Sequence, residues 1–139
     1  MRYIWILLPA MLLASCGHSA DEEAAPLLEK IETLYSQGAY AEVLDSIAAL
    51  RINHPTALKA RRRALELWQD ASLALAQTDI AKTDSALQAT LQLIDREPDL
   101  YTANMLRVKR DSLKARYEAM CGVVRIIHIK QKERGKDVE

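Results

Sequence analysis

Glycine and proline are scarce, with four of each in 139 residues, and phenylalanine is missing altogether. So few helix breakers in a chain rich in Ala, Leu, Glu, Lys and Arg point to an all-α fold. The glycines stand singly, which excludes a phosphate-cradling Gly-rich loop, and neither a Ser-centred nucleophile elbow nor a metalloprotease helix motif is present. His18, His54 and His128 have no partner at metal-ligand spacing. No carboxylate pair among residues such as Asp79, Asp84 and Glu97 stands out from a solvated helix face. With no catalytic constellation, no metal and no cofactor implied, the expectation is a protein that binds and does not catalyse. Excess charge is also lacking, since 19 basic residues balance 19 acidic ones.

A long hydrophobic run is lacking too. The longest begins beside Arg2, extends from Tyr3 to Leu13 and is broken by Pro9. As a helix it would measure about 20 Å, short of the roughly 30 Å of a bilayer core. A positive charge, an apolar stretch and the small residues Ala14 and Ser15 make the three parts of an export signal. The segment closes on Leu13-Ala14-Ser15-Cys16, which resembles the lipobox of bacterial lipoproteins. That resemblance implies removal of residues 1–15 and a covalent lipid on Cys16, with a mature chain anchored to a membrane and not spanning it. Gly17, in place of an aspartate, fits lipoproteins sent to the outer membrane, without fixing the leaflet. Asp21-Glu22-Glu23 loosely resembles acidic signals for surface display, and residues 16–25 read as a solvated tether.

From Pro26, Leu27, Leu28, Ile31, Leu34 and Tyr35 recur at helical spacing, and Gly38 marks a stop. A second helix follows, with Tyr40, Val43, Leu44, Ile47, Leu50 and Ile52 as its inward residues. It ends at Asn53-His54-Pro55, because proline cannot continue the hydrogen-bond ladder. Residues 26–55 resemble one tetratricopeptide repeat: Tyr35, Gly38 and Tyr40 occupy the turn positions and Pro55 the closing position. The resemblance implies that Tyr40 packs between the helices and Gly38 permits the turn. A single repeat cannot bury its own apolar face, so something downstream, or a partner, must cover it.

Residues 56–132 read as a long antiparallel helical hairpin. Thr56 is placed to cap its first helix, which is either continuous to about residue 95 or restarts near Thr78-Asp79 or Thr83-Asp84-Ser85. Leu73, Ile80, Leu87 and Ile94 recur at sevens, as do Leu106, Leu113, Met120 and Ile127 beyond the break at Arg96-Glu97-Pro98-Asp99. Arg110, Tyr117 and Val124 follow four residues after the first three of the second set. Two coiled-coil-like stripes joined by a short turn are expected to seal each other.

Arg61-Arg62-Arg63 spans too much of a helix circumference to grip one ligand; Arg62 is suited to pair with Glu66. Val123, Val124, Ile126, Ile127 and Ile129 either dock on the first hairpin or form a sticky surface, docking being the better fit because that hairpin needs a cover. Cys121 is either a half-buried apolar residue or, in an oxidising envelope, the link of a disulfide homodimer. Residues 133–139 form a charged tail. Arg107 to Lys136 is basic, with only Asp111, Glu118 and Glu133 against it. Export makes nucleic acid an unsuitable partner, leaving a solvated face or contact with anionic lipid or glycan. The expected function is that of a lipid-anchored helical adaptor for another protein of the cell envelope, or of a structural envelope component gripping anionic lipid.

Overall fold

The structure, a computed structural model, describes residues 19–136. The lipobox residues Leu13, Ala14, Ser15 and Cys16, the signal segment 1–15 and the last residues of the charged tail lie outside the described residues. The fold is all-α: α1 (Ala20–Ser36), α2 (Tyr40–Asn53), α3 (Leu58–Ile94) and α4 (Leu100–Lys136), with no strand among the described residues.

α1 starts well before Pro26, which corrects the reading of Asp21 to Ala25 as tether. The Ser19 amide donates to Glu22 Oε2 at 2.8 Å, and the Glu22 amide donates back to Ser19 Oγ at 3.2 Å. This reciprocal cap satisfies two orphan donors, and the three acids of the first turn sit where the helix dipole favours negative charge. At the other end Gly38 takes φ +74°, and the Ala39 amide reaches Leu34 O at 3.0 Å. Glycine adopts that backbone without steric cost, so the chain reverses within a few residues.

The core lies between α1, α2 and the first third of α3. Ile31, Val43, Ile47 and Leu50 are fully buried, and each contributes about 1.5–3 kcal/mol relative to exposure. Ile52 is 77% exposed, against expectation. Two residues past Leu50 it lies about 200° around the helix, on the outer side.

The cover over the hairpin is a line of small residues in α3. Ala57, Ala60, Ala64, Leu67 and Ala71 are all buried, alternating at threes and fours along one face, and their size lets the backbones approach closely. Val123 to Ile129 therefore do not dock on the first hairpin: the backbone of α4 runs beside α3, and Met120 and Val123 border a depression that Leu44 of α2 also lines. The cause is an offset of two residues. The side of α3 that meets α4 carries Gln69, Ala76, Thr83 and Thr90, all buried, about 200° from the alanine line. α3 thus stands between the N-terminal hairpin and α4, with both faces occupied.

α3 is one continuous helix of 37 residues, which resolves the choice between one helix and two. Thr78 and Ser85 start no new helix because each hydroxyl donates to the carbonyl four residues back. Thr56 does not cap α3 either. Ala57 is the capping residue by position and is wholly buried. Asp21 of α1 supplies the missing acceptor, its Oδ1 taking the Ala60 amide at 2.9 Å. That bond puts the N-termini of α1 and α3 at the same end.

α4 runs back along α3. Arg116 pairs with Asp79, Gln131 with Asp70 and Arg134 with Gln69, so contacts descend α3 as they ascend α4. Asp99 starts α4 by accepting the Thr102 amide at 2.8 Å, a bond that holds its carboxyl below the ordinary value. The result is a three-helix base and a two-helix arm that extends about 27 Å beyond it, from Ala76 to Ile94.

Candidate functional site

The eight heptad residues fall on the α3–α4 seam to different depths. Leu73, Ile80, Leu87, Ile94, Leu106, Leu113 and Met120 are half-buried, and only Ile127 is buried. Two helices alone cannot enclose a Leu or Ile on every side. The centre line of α3 at this seam is instead Gln69, Ala76, Thr83 and Thr90, a set whose polarity hid it from a search for hydrophobic repeats. Thr90 is buried at no polar cost, since its hydroxyl is satisfied by Ala86 O at 2.8 Å.

The turn residues of the first hairpin do meet. Tyr35 and Tyr40 pack edge to face with ring centroids 5.6 Å apart, across the bend that Gly38 makes. Burial first, and then Asp70, raise the Tyr35 phenol above its ordinary value. Pro55 is exposed just beyond the end of α2. Cys121 is half-buried; its thiol, by charge and hydrogen bonding, holds the Tyr117 phenol up. In the arginine cluster Arg63, and not Arg62, makes the ion pairs, with Glu32 at 2.8 Å and Glu66 at 3.0 Å. Arg61 donates to Pro55 O.

Three surfaces remain open. The first is an apolar groove of about 290 Å3 between α3 and α4 at the base of the arm, lined by Trp68, Gln69, Ser72, Val123, Ile126, Ile127 and Lys130. A second depression of about 260 Å3 adjoins it, sharing Ser72 and Val123 and reaching Leu44 of α2. Trp68 is held from another side by Arg51, whose guanidinium lies 5.9 Å from the ring centre.

The second surface is the end of the base where α3 begins. Arg51, Arg61 and Arg62 surround a shallow cleft with Leu58 and Leu65, and Lys59 lies beside it. Leu58 and Ile52 are among the most exposed apolar side chains of the molecule.

The third surface is the outer side of α4. Tyr101, Met105, Val108, Ser112, Ala115, Ala119, Gly122, Ile126 and Ile129 alternate at fours and threes without one charge. The large members are 49% to 75% exposed. This line stands two residues off the seam to α3, on the far side of the helix for most of its length, and Ile126 near its end also borders the groove at Trp68. Charged residues flank it: Asp111, Glu118 and Arg125 on one side, Lys109, Arg116 and Lys130 on the other. An ordinary solvated helix puts its charges where this line is bare.

Among the described residues no group of three His, Cys, Asp or Glu is placed to hold a metal ion, and no helix is long and apolar enough to cross a membrane. Compared with protein-family models, curated proteins and solved structures, the chain has no match.

Proposed function

We propose that this chain is a membrane-anchored helical adaptor of the cell envelope, held by lipid at Cys16 and binding protein through the exposed sides of its two-helix arm. The single observation that carries the reading is α4, whose inner side is covered by α3 while an uncharged outer line lies exposed. Exposing that line to water confers no stability, so a binding role accounts for it. The groove at Trp68 extends that surface to the base of the arm.

The anchoring half of the proposal draws support from geometry at the start of α3. Asp21, close to the first described residue, is bonded to Ala60. Cys16 therefore precedes by only a few residues the end of the molecule that carries Arg51, Lys59, Arg61 and Arg62 beside Ile52 and Leu58. Basic residues contribute about 1 kcal/mol each at an anionic membrane surface. With this end at the membrane, the arm carries its apolar faces away from the anchor. The first hairpin, similar in its turn to a tetratricopeptide repeat, serves as the platform for α3.

Fractionation of cells expressing Cys16→Ser tests the anchor: the variant folds but leaves the membrane fraction and incorporates no radiolabelled fatty acid. A variant that stays membrane-bound and labelled contradicts lipidation at Cys16. A photo-crosslinking residue at Ser72, inside the groove, tests the adaptor role. The expected adduct is with a defined envelope protein; its absence removes the groove from the proposal.

A further inference from the structure

We propose that the outer face of α4 is the seam of an antiparallel dimer of this chain. The inference rests on reading that face as a docking surface and is independent of the lipid at Cys16. Within the molecule, α3 supplies the precedent: it also carries two lines of residues two positions apart, one covered by α1 and α2 and the other by α4.

Residue size along the face points to a second copy turned end for end. Bulk lies at both ends and small residues lie between. Reversal about a two-fold axis near residue 117 sets Met105 against Ile129 of the other copy and Val108 against Ile126. The same register sets Ser112 against Gly122 and Ala115 against Ala119, which lets the backbones close up. A Cβ added to Gly122 would meet nothing within 4 Å in the single chain, so the space there is open to a partner.

Charge selects the same arrangement. In this register Asp111 of each copy faces Arg125 of the other, twice per dimer. Arg125 has no ion-pair partner among the described residues, and Asp111 holds Arg110 through only one of its oxygens. A parallel pairing would bring Arg125 against Lys130. On the other flank Arg116 is already neutralised by Asp79 of its own chain, with Nε to Oδ2 at 2.9 Å. Arg116 and Glu118 each meet their own copy near the axis, and of the two only Glu118 lacks a neutralising partner among the described residues.

From Met105 to Ile129 the face extends roughly 36 Å. A helix contact of that length, with its flanks, buries roughly 600–800 Å2 per copy, the size that specific interfaces reach. The contact is isologous and closes on itself, so it gives a dimer and not a filament.

Sedimentation equilibrium of the full chain in density-matched detergent, at micromolar concentration, tests the proposal. The expected mass is twice that of the chain. Ala115→Lys is expected to weaken the dimer on the order of a hundredfold, because two ammonium groups enter the seam. Asp111→Arg and Arg125→Asp each weaken it about tenfold, the double variant restores it, and Glu118→Gln tightens it. Unchanged circular dichroism in each variant keeps folding out of the comparison. A single-chain mass, or a dimer indifferent to Ala115→Lys, overturns the proposal; a double variant as weak as its parents overturns the antiparallel register. A single-chain mass together with a photo-crosslink from residue 115 to another envelope protein overturns the dimer and leaves the docking reading intact.

Discussion

The base and the arm are built from the same kind of helix, and α3 passes through both, yet they hold together differently. In the base, Ile31, Val43, Ile47 and Leu50 are closed off from water by three helices. In the arm beyond Ala76, α3 has only α4 beside it, and Ile80, Leu87, Leu106 and Leu113 keep part of their surface in water. The buried residues of that stretch are small or hydroxylated: Ala76, Thr83, Thr90 and Ala103. Burial of large apolar groups is what stabilises a small domain, so the base supplies most of the folding free energy. The arm spends length on surface. That division suits an element whose exposed faces are for binding.

The largest expected effect breaks the base. Ile47→Ala removes a fully buried side chain from the three-helix junction and is expected to cost about 2–5 kcal/mol, read from chemical denaturation. Loss of under 1 kcal/mol would place the core elsewhere. Next, Leu87→Asp or Leu113→Asp puts a carboxylate into the half-buried seam. The expected outcome is an opened arm on an intact base: helicity falls while the near-ultraviolet signal of Tyr35 and Tyr40 persists. Cooperative loss of both would show that base and arm are one unit.

A smaller effect sharpens the comparison where α1 meets α3. Asp21→Ala removes the only side-chain cap on α3 and is expected to cost about 1 kcal/mol. Asp21→Asn, which keeps an acceptor oxygen, is expected to recover most of it. The smallest effects belong to exposed charges on the arm. Arg116 bonds to Asp79 and holds that carboxyl below its ordinary value, as the Thr102 amide does for Asp99. A depressed carboxyl stabilises the fold above its unfolded-state value, and the contribution disappears as pH falls through the folded-state value. Acid titration from neutral pH is therefore expected to leave the arm unchanged until the pH passes below about 4. Asp79→Asn is expected to remove only a small part of that late transition, since the pair is exposed.

The order and limits of the helices were largely legible in the sequence because local chemistry sets them. Gly38, Pro55 and the Pro98-Asp99 turn end or start helices through backbone geometry alone. The start of α1 was equally local: Ser19 and Glu22 form the cap, but three adjacent acids look like a solvated tether. What packs against what was less legible. A stripe shows that a face is buried and not which neighbour buries it. The alanines at 57, 60, 64 and 71 carry too little hydrophobicity to compete on paper with Val123 to Ile129, although their small size is what makes them the better cover. The groove at Trp68 follows from that exchange, since Val123 and Ile126, expected to dock on the first hairpin, are left exposed along its edge while Ile127 is buried.

Residue-resolved hydrogen exchange on the full chain, kept dilute, tests most directly the claim that the base holds the fold together while the arm offers surface. The slowest amides are expected in α2 and in the stretch of α3 from Ala60 to Ala71, with faster exchange from Thr83 to Leu113. Raising the concentration is expected to slow exchange along α4 from Met105 to Ile129. Protection in the dilute arm equal to that of the base, and unchanged by concentration, would contradict the account.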